Sequence, residues 1–256
     1  MRWMKTEYKR VPALDKCFSI LELFAKEKKP LGISEISKAL DYNKSTVFNI
    51  VYTLTALGVL ENGDNGFRFG TKLYVLGKAA NQGSELIHTV YPFLEDISHK
   101  TKLSAFLGIR SALRAIIIDK VDSAYDIRIS SEIGMRIPLL AGAGGKALLS
   151  QLPDDEIDQI LSKDKLNKFT PFSCTNKRQY KEMIRKVHQE RFAVDDEEYI
   201  EGIRALAVPL RLNKDHLKAA IWVVGLKGQI KDEVIPLYRS MLKAIAEKIE
   251  TRFSLE

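Results

Sequence analysis

Three short helical patterns followed by a turn-rich hairpin constrain the fold of this chain more than any other sequence feature. Apolar residues recur at helical spacing over residues 12–27, until the KKP sequence at 28–30 stops the pattern. A second, shorter helix follows, and a third runs to about Ala56, where Gly58 ends it.

The second and third helices both start at residues that favour helix N-termini. Ser34 is the predicted N-cap of the second helix, with Ile36, Ala39 and Leu40 facing inward. Asn43 is the predicted N-cap of the third helix.

The hairpin signal lies at residues 59–69. Short apolar runs at 59–61 and 67–69 flank the sequence NGDNG, whose residues are typical of a tight turn between antiparallel strands. Three helices and a hairpin in about 60 residues predict a small winged helix-turn-helix, which we assign to residues 1–72.

The third helix has two contrasting faces. The side predicted to pack on the other helices contains Val47, Ile50, Val51 and Leu54. Ser45, Asn49 and Tyr52 fall nearly opposite. A surface helix whose polar side is merely hydrated is the competing interpretation, and most amphipathic helices are only that.

Three features favour contact with DNA. The helix–turn–helix spacing suits the major groove. No acidic residue lies between positions 43 and 56. Lys44, Ser45 and Thr46 stand at a helix N-terminus, where side chains and free N–H groups contact phosphate. Asn49 has the side chain that reads an adenine edge, and Arg68 lies on the hairpin. The predicted DNA-binding residues are Ser34, Asn43, Lys44, Ser45, Thr46, Asn49, Tyr52 and Arg68.

The charge distribution agrees with this assignment. Residues 1–80 contain 13 Lys and Arg against 8 Asp and Glu, whereas residues 81–256 contain 27 against 25. The net charge of +7 suits a polyanion partner, although a solvated basic face would show the same excess.

The remainder of the chain predicts a linker and a second domain. We interpret residues 73–84 as a helical linker and residues 85–256 as an α+β domain, because strands and helices mix there without regular alternation. Helical spacing continues to about Lys102, with interruptions near residues 82–84 and at Pro92. Strands are predicted around a turn at 110–112 and at 125–131, 206–211 and 217–225, the last two joined by a turn at 213–215. Helices are predicted at about 144–151, 154–162, 177–190 and 231–252.

The whole chain resembles the IclR family of bacterial transcriptional regulators. In the first domain the resemblance rests on ALDKCFSILELF, ISEISKALDYNKSTVFNIVYTLTALGVLE and FRFGTKLYVLG, and in the second on GMRIPLLAGAGGKALLSQLP and ERFAVDDEEYIEGIRALAVPL. It implies a winged helix-turn-helix, a linker helix and a GAF-like effector-binding domain, assembled as a homodimer or a dimer of dimers. The family usually has proline at position 43 and often arginine at 49, so the two asparagines here predict a different operator preference.

The resemblance also implies an effector pocket. It assigns the backbone amides of Ala143 and Gly144 to the anionic group of the effector and Asp195 to the pocket lining. Ala205 replaces a frequent cysteine, and Trp222 and Val224 stand where relatives that bind small acids have hydroxyls. Ile129 and Ile137 complete the predicted wall.

The identity of the wall residues leaves two interpretations open. An indole at Trp222 favours an aromatic or otherwise bulky carboxylate over an acid of two or three carbons. Alternatively, Trp222 only fills the core, and the glycines of the AGAGGK sequence at 141–146 only allow close helix packing. That sequence is not a phosphate-binding loop, since it lacks the first glycine and the final hydroxyl residue.

Other function classes find little support in the sequence. The four histidines lack metal-ligand spacing, and neither cysteine lies in a reactive motif. The four consecutive acidic residues at 195–198 cannot all face one site. We therefore predict no enzyme activity and no cofactor. The two isolated cysteines, Cys17 and Cys174, are typical of thiols in a reducing compartment, which predicts a cytoplasmic protein, and the N-terminus has no signal-peptide pattern.

The predicted function is an effector-responsive DNA-binding regulator, a repressor of a catabolic operon, that binds a pseudo-palindromic operator. One alternative is a ligand-binding or enzymatic GAF-like module whose first domain docks a protein, and weak salt dependence would reveal it. The other is a scaffold for a second transcription factor, which would tolerate substitution of Asn49 and Arg68.

Overall fold

A computed structural model describes residues 11–82, 85–212 and 217–254. The chain divides into two compact units, residues 1–84 and 85–256. Within the described residues, no helix is both long and apolar enough to cross a membrane.

The first unit is a winged helix-turn-helix. Its elements are α1 (Pro12–Glu27), α2 (Ile33–Leu40), α3 (Lys44–Ala56), β1 (Leu60–Gly63), β2 (Gly66–Phe69) and α4 (Thr71–Gln82). The two strands pair antiparallel, with Leu60 opposite Phe69, and Leu31 adds a single bridge to Phe67. The three predicted helices and the hairpin are thus confirmed. Residues 73–82 of the predicted linker lie in α4, whereas residues 83 and 84 lie outside the described residues.

One small core holds these elements together. Val47 and Val51 of α3 are completely buried and pack with Ile20 of α1, Ile36 of α2 and Phe67 of β2. Leu54 is also buried and Ile50 partly so, which confirms the predicted inward face of α3. That face fixes the helix, so its opposite side is presented to solvent.

Three details of α2 and α3 differ from prediction. The N-cap of α2 is Gly32 and not Ser34, because the Gly32 amide donates to Oε2 of Glu35 (2.8 Å) and closes the first turn. Asn43 does occupy the N-cap of α3, but its side chain makes no capping hydrogen bond. Ala39 was expected to face inward and is exposed.

The second unit is built on a six-stranded antiparallel sheet. Its elements in chain order are α5 (Glu85–Thr101), β3 (Ser104–Ser111), β4 (Arg114–Val121), β5 (Arg136–Pro138), α6 (Gly142–Leu149), α7 (Asp154–Lys163), α8 (Lys177–Glu190), β6 (Ala193–Asp196), β7 (Ile203–Leu210), β8 (Ala219–Leu226), a 3₁₀ turn (Asp232–Val234) and α9 (Ile235–Ser254). The strand order is β5-β4-β3-β8-β7-β6. This α+β architecture confirms the predicted fold class.

Helices cover both faces of the sheet. Strand alternation sends Leu107 and Val223 towards α5 and α9, and sends Phe106 and Trp222 towards α6, α7 and α8. The second face also carries a cavity, described below.

Several predictions for the second unit are wrong. Residues 125–131 form no strand, and β5 at 136–138 is the strand that pairs with residues 114–116 of β4. The short strands β5 and β6 were not predicted. Pro92 does not interrupt α5, since it lies on the exposed side, where water substitutes for the missing hydrogen bond. The predicted turn at 213–215 lies outside the described residues.

Candidate functional site

The exposed face of α3 brings together most of the predicted DNA-binding residues. Lys44, Ser45, Asn49 and Tyr52 are all exposed, whereas Thr46 is half-buried at the edge of the core. The first turn of α3 contains no acidic residue. Because the Asn43 side chain does not cap the helix, it leaves the amides of that turn free to face an anion.

An aromatic cluster borders this face. The ring of Tyr52 lies 4.3 Å from that of Phe48, centroid to centroid, and meets the edge of Phe67 on the hairpin at 5.5 Å. Phe48 and Tyr52 nevertheless remain 47% and 44% exposed. Tyr52 therefore helps to fix α3 against the wing. Phe48 adds an apolar surface of the kind that contacts thymine methyl groups, and the sequence analysis did not include it among the contacts.

Ser34 and Arg68 lie outside α3. Ser34 is exposed in the first turn of α2. Arg68 projects from β2 opposite Glu61 of β1, and the two form an exposed ion pair with a nitrogen–oxygen distance of 3.5 Å. Such a pair contributes little to stability, so the guanidinium can exchange the carboxylate for a phosphate.

A cavity of about 90 Å³ in the second unit is lined by all eight predicted effector-binding residues. They are Ile129, Ile137, Ala143, Gly144, Asp195, Ala205, Trp222 and Val224. They come from β5, α6, β6, β7, β8 and the segment before β5. The fold therefore brings together at one site residues that are up to 95 positions apart in the chain.

One end of the cavity is polar and is formed by the start of α6. Gly142 has a left-handed backbone (φ +70°), and a side chain there would come within 3.3 Å of Oδ2 of Asp195. Gly145 has no room for a side chain either, since its Cβ would lie 2.2 Å from the carbonyl oxygen of Leu139. Close packing thus explains part of the glycine-rich sequence. It also leaves the amides of the first helical turn uncovered by side chains.

Asp195 is the titratable group of the cavity. Its side chain is only 4% exposed, and it accepts a hydrogen bond from the amide of Glu198 (2.7 Å). Burial raises the pKa of Asp195 to about 6, and the Glu198 charge adds to the rise, while the Glu198 amide and the Lys146 charge oppose it. The carboxyl group therefore exchanges a proton close to neutral pH.

The four consecutive acids at 195–198 do not all face one site, as predicted. Asp196 pairs with Arg204, and Glu197 pairs with Lys227. Glu198 pairs with Lys146 of α6, whose ammonium is buried and also donates to the carbonyl of Val194 (2.6 Å). Lys146 thus ties α6 to the β6 strand and does not face the cavity.

Apolar side chains form the rest of the lining, and Trp222 lies directly against the start of α6. Trp222 is 5% exposed and stacks on Phe106 at a centroid distance of 5.9 Å. It therefore fills the core and lines the cavity at once. Val224, two residues along β8, lies on the same face, as strand alternation predicts.

Several residues that line the cavity were not predicted. Phe106 was detectable in principle, since its strand alternates in register with Trp222 across the β3–β8 pair. Four others lie on loops, where periodicity carries no signal: Ser131, Met135, Tyr199 and Ile200. Among the described residues, no cluster of histidine, cysteine and acidic side chains is arranged to hold a metal ion.

The first unit is a winged helix-turn-helix whose third helix has a face suited to DNA, and the second is a sheet unit that contains a cavity. This combination defines the class of DNA-binding transcriptional regulators. The family models agree: the IclR helix-turn-helix domain matches residues 13–64, and the bacterial transcriptional regulator IclR C-terminal model matches residues 78–251. The chain belongs to the IclR family of transcriptional regulators.

Known relatives are similar over nearly the full chain. The HTH-type transcriptional regulator KdgR of Escherichia coli (strain K12) is 30% identical over 94% of this chain and 92% of its own length. The transcriptional repressor IclR of the same strain is 25% identical over 94% of this chain and 89% of its own. These relatives are regulators and not enzymes.

One solved structure shares the fold and contains a ligand. An IclR homologue from Microbacterium hydrocarbonoxydans, complexed with 4-hydroxybenzoate, superposes with a TM-score of 0.83 at 20% identity, covering 95% of this chain and 100% of that one.

Proposed function

We propose that this regulator represses a catabolic operon until a small organic acid with a bulky branched or aromatic body enters the cavity of the second unit. The observation that carries the proposal is the mixed lining of the cavity, where the amides at the start of α6 and the buried carboxyl of Asp195 meet the indole wall of Trp222. Such a site suits an amphipathic acid.

The polar end supports a carboxylate ligand. The amides of Ala143 and Gly144 lie in the first turn of α6, where the helix dipole favours an anion. Asp195 lines the same end, and a carboxylate placed beside it favours the protonated form of its side chain. In that form the carboxyl group donates a hydrogen bond to the ligand, and binding takes up a proton.

The size of the cavity limits the body of the ligand. A volume of about 90 Å³ is smaller than the roughly 150 Å³ of an apolar cavity that encloses benzene. A branched or aromatic acid has at least as many non-hydrogen atoms as benzene. Either therefore requires the outer wall, where Met135 and Ile200 are 42% and 51% exposed, to move outwards. The ligand of the Microbacterium homologue supports the aromatic class.

The first unit supports sequence-specific DNA contact. In our proposal Asn49 reads a base edge, Lys44 with Ser45 and Thr46 holds a phosphate, and Arg68 reaches the backbone from the wing. Ser34, Asn43 and Tyr52 flank this surface. We propose a homodimer or a dimer of dimers on a pseudo-palindromic site, with half-sites about 34 Å apart or a multiple of that. We place the protein in the cytoplasm with the DNA.

The effector class is tested by the thermal unfolding of the full-length protein in the presence of single compounds. Glyoxylate, pyruvate, 3-methyl-2-oxobutanoate, benzoate and 4-hydroxybenzoate are compared, with benzamide as the neutral counterpart of benzoate. We expect the branched or aromatic acids to raise the melting temperature and benzamide to leave it unchanged. Stabilisation by glyoxylate or pyruvate alone would rule out the bulky effector.

DNA recognition is tested with an operator selected from random duplexes by the purified protein. We expect affinity to fall steeply between 50 and 200 mM salt, as counterion release requires. The stabilising acid should release the protein from this operator if the regulator is a repressor. An affinity insensitive to salt would instead indicate that the first unit binds a protein.

A further inference from the structure

We infer that Gly108, which does not line the cavity, determines the size of acid that the cavity accepts. Because it has no side chain, it leaves the space that the indole of Trp222 occupies. This inference rests on the proposed role of the cavity as the effector site. It adds a specificity-determining residue on β3, behind the wall that the ligand touches.

The first argument is the fit between Gly108 and the indole. A Cβ atom at position 108 would lie 2.3 Å from Cη2 of Trp222 and 2.6 Å from Cζ3. Carbon atoms normally stay at least 3.5 Å apart, so the outer ring of the indole occupies the space that any side chain at 108 would need.

The second argument is that the indole is enclosed on its other sides. A Cβ atom at Gly144 of α6 would lie 3.2 Å from Cδ2 and Cε3 of the same indole. Phe106, which is 1% exposed, stacks against it. Since Phe106 and α6 close these sides, the cavity offers the remaining direction in which the ring can move.

The third argument concerns the backbone at this point. The register between β3 and β4 shifts between Leu107 and Gly108, whereas the pairing of β3 with β8 is continuous there. Strand β3 is thus held by a partner on each side. The Gly108 Cβ position also lies 3.0 Å from the carbonyl oxygen of Ile116, so the strand cannot yield towards β4. Irregular pairing of this kind often occurs beside ligand sites.

A methyl group at position 108 must therefore displace the ring by about 1 Å, from 2.3 Å to van der Waals distance. The displaced ring enters a cavity of only about 90 Å³. One methyl group of misfit in a closed apolar site changes affinity by roughly 10- to 200-fold. We expect Gly108→Ala to weaken the binding of a branched or aromatic acid by about 10-fold or more.

The test uses four full-length proteins: the parent, Gly108→Ala, Trp222→Phe and the double variant. Phenylalanine lacks the outer indole ring, so the double variant has room for the new methyl group. Gly228→Ala is the matched control, because a Cβ atom there meets no atom within 4 Å. Titration calorimetry with 3-methyl-2-oxobutanoate and benzoate measures affinity, and circular dichroism checks folding.

We expect Gly108→Ala to lose affinity, the double variant to bind at least as well as Trp222→Phe, and Gly228→Ala to match the parent. A Gly108→Ala protein that folds and binds both acids like the parent would overturn the inference. So would an equal loss of affinity when the same substitution is made in the Trp222→Phe protein.

A readout without ligand separates this inference from the proposed function. The chain has two tryptophans, Trp3 and Trp222, so Trp3→Phe leaves one fluorescent indole. In that background we expect Gly108→Ala to shift the emission maximum and to increase quenching by acrylamide. If the parent binds neither acid, the proposed effector class fails, and the emission spectra alone decide whether Gly108 positions the indole. Unchanged spectra refute that positioning.

Discussion

Replacing Asp195 with asparagine should change how the stability of the protein depends on pH. The side chain is 4% exposed, and burial, with the Glu198 charge, raises its pKa from 3.8 to about 6. Between these two values the folded state binds a proton that the unfolded state has released. Stability due to this group is therefore full below pH 3.8 and is lost as pH rises to about 6.

The magnitude follows from the size of the shift. A rise of about two pKa units corresponds to about 3 kcal/mol, at 1.36 kcal/mol per unit. Asparagine keeps the shape and the acceptor for the Glu198 amide but does not titrate. The unfolding free energy of the parent should therefore fall by about 3 kcal/mol relative to Asp195→Asn between pH 4 and pH 7.

The assay is urea unfolding of both proteins at half-unit intervals from pH 4 to pH 7.5. Asp196→Asn is the matched control. Burial pushes the pKa of Asp196 up, but hydrogen bonds from Lys227 and Arg204 outweigh it and hold the pKa below 3.8. That variant should differ from the parent by a constant amount across this range. Parallel stability curves for the parent and Asp195→Asn would refute the reasoning.

Three further substitutions test the remaining parts of the structure. Lys146→Met leaves Glu198 and the Val194 carbonyl without their buried partner, so unfolding free energy in urea should fall by about 3–5 kcal/mol. Adding Glu198→Gln to the Lys146→Met protein should restore much of the lost unfolding free energy. If it restores none, the loss comes mainly from packing of the lysine side chain. Asn49→Ala should lower affinity for the selected operator about 10-fold and leave binding to random DNA unchanged. Lys44→Ala should weaken binding to both the selected operator and random DNA and should reduce the salt slope of binding by about 1. Fluorescence anisotropy measures the DNA affinities of both variants. Equal losses on all sequences for Asn49→Ala would rule out base reading.

The fold of the first unit was predictable because its signals are local. Apolar spacing places Val47 and Val51 in the core, and turn residues at 62–66 specify the hairpin. The N-cap of α2 was predicted two residues too late. Glycine at position 32 owes its role to the carboxylate of Glu35, and residue preferences for caps do not reveal that partner.

In the second unit, prediction from the sequence fails where contacts with residues distant in the chain determine the structure. The pattern at 125–131 is that of a strand, but β4 pairs instead with β5 at 136–138, and residue preferences do not reveal which segment pairs with β4. Which residues line the cavity was predictable only through the family resemblance, since they come from six parts of the chain. No local pattern indicates that Gly108 must lack a side chain, because the reason is an indole 114 positions away.

The anchoring of α6 by the buried Lys146–Glu198 pair has a practical consequence for sensor engineering. The backbone amides at the start of α6 are fixed by that pair and by glycine packing, whereas the apolar wall consists of replaceable side chains on β7 and β8. In the proposed effector site, libraries at Ala205 and Val224 would therefore change which acid is bound while the Ala143 and Gly144 amides stay in place.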